Sequence, residues 1–266
     1  MSNKPDYKNW VPKSMITGLA MGTALCGAAF ALSGKMLHNS PDTVRTVTQI
    51  VLGAGTVGLL GGTIWMTALH RAFDYNGKRK MAKQIIDGIA AYVTIPDDGT
   101  GLDVGCGSGA LTIACAKRNP NAQMIGCDIW SGAYKAVFTK DRCEENADAE
   151  GVENAHFEEG NAIKLPFADE CFDAVTSNYV YHNIAGKNKQ ELLLETLRVL
   201  KKGGTFAIHD LMSKARYGDM EAFVSRLKSM GYEDVRLIDT TDGSFMTRRE
   251  AALLGLSGST LLVGKK

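Results

Sequence analysis

The stretch GLDVGCGSGALTIACAKRNPNAQMIGCDIW, Gly101–Trp130, constrains the fold more than any other part of the chain. A short apolar run, Gly101–Val104, carries Asp103. Glycines follow at Gly105, Gly107 and Gly109, and a helical pattern begins near Ser108 and ends before Pro120. A second apolar run, Gln123–Asp128, ends on another acid. Strand, bared turn, helix and strand in that order make a parallel unit with a right-handed crossover. Glycines at such a turn remove side chains where a ligand would meet the backbone. The helix that follows offers unpaired N–H groups and a partial positive charge.

The same alternation continues from Gly77 to the end, which predicts a mostly parallel sheet covered on both faces. Gly77–Val93 has apolar residues at helical spacing and is stopped by Pro96 and Gly99. Residues 132–150 read as a helix with Ser131 as N-cap and Gly151 beyond its end. Strands are expected at Ala155–Gly160, Phe172–Ser177, Thr205–Asp210, Glu233–Asp239 and Ser259–Lys265. Helices are expected at Lys189–Lys201, closed by Gly203 and Gly204, and at Asp219–Met230, ended by Gly231. Only a short insert, Met246–Gly255, separates the last two strands, too little for the usual crossover.

The amino-terminal part is different. Ser14–Gly34 and Val47–Leu69 carry no charge, and each is long enough to cross about 30 Å of hydrocarbon as a helix. The first lacks the short lead of a secretory signal, and a second apolar stretch follows it. The polar turn between them, with Pro41, predicts a helical hairpin whose contact points are the small residues Gly18 with Gly22 and Gly58 with Gly62. Lys4, Lys8 and Lys13 precede it and Arg71, Lys78, Arg79, Lys80 and Lys83 follow it, against Lys35, Arg45 and Asp42 in the turn. That bias puts both ends in the cytoplasm. The competing reading is a soluble hairpin that buries itself on the domain or on a second copy. The expected division is residues 1–70 for the hairpin and 71–266 for the α/β domain.

A net charge of +1 gives no nucleic-acid footprint. The six cysteines include no CxxC and no zinc spacing, so they read as reduced thiols, and no metal is expected.

The glycine spacing also satisfies a dinucleotide fingerprint through Gly105, Gly107 and Ala110, with Asp128 at the ribose-binding position. Asp103 argues against a pyrophosphate there, since like charges in a partly desolvated cleft repel. A ligand with a cationic end suits it better.

At these residues the chain resembles class I S-adenosylmethionine-dependent methyltransferases. LDVGCGSG resembles the family's first motif, with Asp103 as its acid and Cys106 as a small filler among Gly105, Gly107 and Gly109. IGCDIW is similar to the second, which implies that Asp128 holds the ribose hydroxyls with Ile129 and Trp130 beside the adenine. GNAIKLPFADECFDAVTSNYVYHNI is similar to the stretch through the fourth strand. It implies Asn161 and Ala162 at the adenine edge and Ser177 and Asn178 at the methionine end. Asn161 stands where the family most often has aspartate. LRVLKKGGTFAIHD matches the segment that follows. The resemblance covers about residues 77–266 and implies a Rossmann-like, doubly wound α/β sheet of seven strands, the last antiparallel. The hairpin lies outside the family's core.

Methyl transfer needs alignment above all, and a base only where the acceptor must lose a proton. His182 is the candidate base and Tyr179 a positioning group, both just past the fourth strand. His209 and Asp210 read as a hydrogen-bonded structural pair. Tyr75 is either a cofactor lid or an interfacial anchor, the GKRK run (Gly77–Lys80) a solvated or headgroup-facing patch, and Phe245–Leu254 either a substrate lid or packing. The expected function is a membrane-tethered, metal-independent S-adenosylmethionine-dependent methyltransferase acting in the cytoplasm on a small, hydrophobic or membrane-associated acceptor. The alternatives are a cofactor-binding membrane adaptor without turnover and an NAD(P)-dependent oxidoreductase.

Overall fold

The structure is a computed structural model that describes residues 4–131 and 137–266. The chain forms two compact units: residues 9–80, and residues 1–8 together with 81–266.

In the first unit, α1 (Lys13–Met36) and α2 (Asp42–Phe73) pack as an antiparallel pair joined by a turn. Both exceed the expected apolar cores by a few residues at each end. Contact between them is made by Gly22 and Gly62: a Cβ at Gly22 would stand 3.6 Å from Leu59, and one at Gly62 4.0 Å from Leu19. Gly18 and Gly58 have nothing within 4 Å, so half of the expected small-residue contact is absent. Leucine against glycine, at Gly22 and Gly62, does the packing instead. Gly27 against Thr56, Gly53 against Phe30 and Gly55 against Cys26 continue the seam. The most apolar 18-residue window of each helix is left unburied. Asn9 donates to the carbonyl of His70, and the ring Nδ1 of His70 pairs with the carbonyl of Val11, so the two ends of the hairpin meet.

In the second unit the alternation produces α3 (Met81–Ala90), β1 (Thr100–Val104), α4 (Ala110–Arg118), β2 (Gln123–Asp128), α5 (Lys140–Ala149), β3 (Ala155–Glu159) and β4 (Phe172–Asn178). Then come α6 (Lys189–Arg198), β5 (Leu200–Leu211), α7 (Lys214–Tyr217), α8 (Met220–Ser229), β6 (Glu233–Asp239), α9 (Arg248–Leu253) and β7 (Ser259–Lys265). The seven-stranded sheet has the order β3-β2-β1-β4-β5-β7-β6, parallel except for β7, which is antiparallel to both neighbours. The strand order reverses between β1 and β4, where ligands of such sheets bind.

Several boundaries differ from the sequence reading: α3 is shorter than the expected Gly77–Val93, and three others have a local cause. The helix after the glycines begins at Ala110 rather than Ser108, because Gly107 and Gly109 are left-handed (φ 58° and 82°). The helix expected from residue 132 is described only from Lys140, where Thr139 accepts the N–H of Arg142. Val137–Thr139 are not helical, and residues 132–136 lie outside the described residues. The sixth helix ends at Arg198 because Leu200 already pairs with Phe172, which makes β5 twelve residues long.

The insert before β7 is packed. Phe245 and Met246 are buried, and Phe245 lies edge-on to His209 at 5.4 Å between centroids. A Cβ on Gly88 of α3 would meet the Phe245 ring at 2.2 Å. Gly88→Ala should therefore destabilise the fold by about 1–3 kcal/mol despite the better helix propensity of alanine. Thermal unfolding should show the loss, and Gly88→Ala with Phe245→Leu should recover most of it.

Candidate active site

The loop between β1 and α4 is held from behind. The carbonyl of Cys127 accepts the N–H groups of Gly105 (2.8 Å) and Cys106 (3.1 Å), which pins the loop to the end of β2. Gly105 has φ 73°, and a Cβ there would meet Val180 at 2.3 Å, so only glycine lets the loop and the segment after β4 approach. The carbonyl of Gly107 accepts from the indole of Trp130 (3.0 Å) and the thiol of Cys143 (3.2 Å), and that of Ser108 from the amide of Asn146 (3.0 Å). Gly109 caps α4 with no side-chain cap, leaving that helix N-terminus to other partners.

Asp128 sits at the end of β2 beside this loop. Its two oxygens accept the N–H groups of Gly107 (3.0 Å) and Trp130 (2.9 Å), one each. A carboxylate offers about four lone-pair sites, so acceptor capacity for two hydroxyls remains. Trp130 takes a left-handed conformation (φ 38°) to close this arrangement, and Ile129 stays 47% exposed. The N–H of Gly160 donates to the carbonyl of Asp128, which brings the Asn161–Ala162 turn to the same rim; Asn161 Oδ1 accepts from Ile163 there.

Asp103 is placed differently from a ligand contact. It is 1% exposed, and its oxygens accept the hydroxyls of Thr112 (2.7 Å) and Thr176 (3.0 Å). Burial pushes its carboxyl up to about 6, against the pull of these two hydroxyls. Ser177 is also turned inward, its hydroxyl donating to the carbonyl of Val104. Asn178 pairs with His209 Nδ1 at 2.9 Å.

On the other side of the rim, His182 Nδ1 lies 2.6 Å from Asp210 Oδ1, and the His182 N–H donates to Asp210 Oδ2 at 3.2 Å. Asp210 is fully buried, whereas the His182 side chain is 19% exposed. Burial works against the Asp210 charge, yet hydrogen bonds from His182 and the Leu211 N–H hold its carboxyl below the usual range. The expected His209–Asp210 pair does not form. Successive strand residues face opposite sides of the sheet, so His209 meets Thr240 and Tyr179 on one face while Asp210 meets His182 on the other. Burial lowers His209 to about 3, so it stays neutral. Tyr179 is left-handed (φ 55°), and its hydroxyl shares a 2.7 Å hydrogen bond with Ser259. Tyr75 lies in the other unit, in the turn after α2.

A family model described as a methyltransferase domain matches residues 95–232, just over half of the chain. The chain is a class I S-adenosylmethionine-dependent methyltransferase.

This methyltransferase is 30% identical to a ubiquinone/menaquinone biosynthesis C-methyltransferase of Desulfotalea psychrophila over 65% of its own length and 63% of the relative's. It is 36% identical to a demethylmenaquinone methyltransferase of Symbiobacterium thermophilum over 40% of the chain and 39% of the relative. Across such curated relatives the matches span 31% to 63% of the relative's length. Its fold is also that of a geranyl diphosphate C-methyltransferase from Streptomyces coelicolor solved with S-adenosylhomocysteine, at TM-score 0.52 and 14% identity over 73% of the chain and 86% of that structure. The family membership sets aside the dinucleotide enzyme and makes S-adenosylmethionine the cofactor.

The residues present fit that cofactor. The uncapped α4 N-terminus suits its carboxylate, Asp128 has lone pairs for a ribose diol, and Asp103 is a buried acid behind the loop. Asp128→Ala should weaken S-adenosylhomocysteine binding by about 100-fold, the scale of two hydrogen bonds to a charged group; calorimetric titration reads it. Asp103→Asn tests the buried charge. A carboxyl raised to about 6 costs stability above that value and nothing below the unfolded one near 3.8. At pH 7.5 the variant should unfold later than the wild type, by up to about 3 kcal/mol, with the advantage fading between pH 6 and pH 4.

Proposed function

We propose that this methyltransferase is anchored in a membrane by residues 9–80 and methylates a hydrophobic, membrane-dissolved acceptor that loses a proton as it is methylated. The observation that carries the reading is the His182–Asp210 pair at the carboxyl ends of β4 and β5. Asp210 accepts the Nδ1 proton, which fixes the tautomer and leaves Nε2 as the basic nitrogen. The exposed edge of His182 can then take a proton from an acidic C–H or O–H such as that of a hydroquinone or phenol. Bound S-adenosylmethionine supplies an electrophilic methyl group on a sulfonium. The protein's own contribution is to align that group and accept the proton. In this reading Gly105, Cys106, Gly107 and Gly109 bare the backbone for the cofactor. Asp128 takes the ribose, Ile129, Trp130, Asn161 and Ala162 line the adenine side, and Ser177 and Asn178 support the methionine side. Asp103 counters the sulfonium and ammonium from behind the loop, and Tyr179 positions the segment that carries His182.

Three observations support the membrane part. α1 and α2 are long and apolar enough to span, and their apolar windows are left unburied. The segments on either side of the hairpin, residues 1–8 and 81–266, belong to one compact unit. A span that leaves and returns to one unit must cross twice, as two helices do. With the flanking lysines and arginines, this favours a cytoplasmic catalytic unit. The relatives named for quinone biosynthesis and the geranyl diphosphate enzyme make prenylated acceptors the first class to try.

The full-length protein in lipid nanodiscs, given methyl-labelled cofactor and a membrane lipid extract, should place label in a solvent-extractable lipid. Label only in water-soluble products would overturn the proposed acceptor class. Asp210→Asn should lower kcat by about 100-fold or more with little change in KM, as expected when a base loses its orienting partner. An unchanged kcat would rule out the base.

A further inference from the structure

Residues 6–8 precede the hairpin in sequence yet belong to the catalytic unit. Their anchor is Asn146, 2% exposed on the buried face of α5. Asn146 Oδ1 accepts the N–H of Asp6 at 2.7 Å, and Nδ2 donates to the Asp6 carbonyl at 3.3 Å. One carboxamide thus satisfies both backbone groups of one residue, as a neighbouring strand would. The same Nδ2 donates to the carbonyl of Ser108 at 3.0 Å, inside the glycine loop. One turn earlier on α5, Cys143 donates to the carbonyl of Gly107. Two adjacent loop carbonyls are therefore held by residues three apart on one helix face.

The segment is fixed at further points. Tyr7 is 5% exposed, and its hydroxyl donates to Glu150 at 2.8 Å. Glu150 also pairs with Lys117 of α4. The Asp6 carboxylate faces Lys8 and, at 3.7 Å, Arg142. Burial is the largest single influence on Glu150 and Asp6 and would raise both, but Lys117 with Tyr7, and Lys8, respectively, together hold them below the usual carboxylate range. The segment is therefore tied to α5 at Arg142, Asn146 and the capping Glu150, and Glu150 in turn pairs with α4 through Lys117.

We infer that residues 6–8, acting through Asn146, are a positioning element for S-adenosylmethionine. Holding the carbonyls of Gly107 and Ser108 toward α5 fixes the loop where it enters the uncapped start of α4, the end that suits the ligand's carboxylate. Without Asp6, Asn146 loses two of its three hydrogen bonds and its hold on Ser108 loosens. Because the segment runs directly into α1, cofactor affinity is coupled to the anchoring of the hairpin. The inference rests on the cofactor assignment, and Asn146 touches no ligand itself.

The test uses full-length protein in nanodiscs and three changes: removal of residues 2–8, Tyr7→Phe and Asn146→Ala. Hydrogen exchange of the amides of residues 107–111 is measured without ligand, and S-adenosylhomocysteine affinity by calorimetry. Removal of the segment should speed loop exchange and weaken binding by about tenfold, the scale of one or two hydrogen bonds. Tyr7→Phe should do the same to a smaller extent. Asn146→Ala combined with the removal should add little to either change alone. Unfolding monitored by circular dichroism separates a loosened loop from a lost fold, and Tyr7→Phe remains informative if Asn146→Ala unfolds. Unchanged exchange and affinity within twofold after removal would overturn the inference. A wild-type protein that fails to bind S-adenosylhomocysteine would overturn the cofactor assignment instead, while the exchange data still judge the mechanical link.

Discussion

The site depends on how the carbonyls of the glycine loop are taken up. A turn of this kind bares its backbone, and each buried carbonyl must then find a donor or carry a desolvation cost of about 1–3 kcal/mol. Trp130, Cys143 and Asn146 provide those donors at Gly107 and Ser108, and Ser177 does so at Val104, at the loop's entry. All four stand on the protein side. What is left over is the uncapped start of α4, which is why this end of the loop suits an anionic end of a ligand. Preorganisation here consists of satisfying one side of the backbone so that the other can be offered.

Two buried acids sit on either side of that loop and are maintained differently. Asp103 is hydrogen-bonded by Thr112 and Thr176, neutral donors that do not offset its burial, so its carboxyl is raised. Asp210 has the His182 imidazole and two backbone N–H groups, which hold its carboxyl below the usual range in spite of comparable burial. The first arrangement leaves a charge that a bound cation can relieve. The second holds a tautomer. Both follow from whether a donor with positive character stands beside the carboxylate.

The chain leaves the catalytic unit after Lys8 and re-enters it at Met81. The segment that precedes the hairpin in sequence is hydrogen-bonded to the helix that braces the glycine loop. The glycine seam within the hairpin serves helix contact, while the most apolar window of each helix is left unburied.

Local pattern alone determined the alternation of strands and helices, the last two strands to the residue, the bared loop, and the two apolar helices. These depend on periodicity, glycine and charge, which are written along the chain. The tertiary structure decided the pairings across it. His182 could not be matched to Asp210 rather than to its neighbour on the strand, because strand alternation sends His209 and Asp210 to opposite faces only once β5 is placed. Thr112 and Thr176 on Asp103, and Asn146 between Asp6 and Ser108, join residues from 9 to 140 positions apart. Nothing in the spacing of polar residues signals such contacts, since they form only where helices and sheet close the same volume.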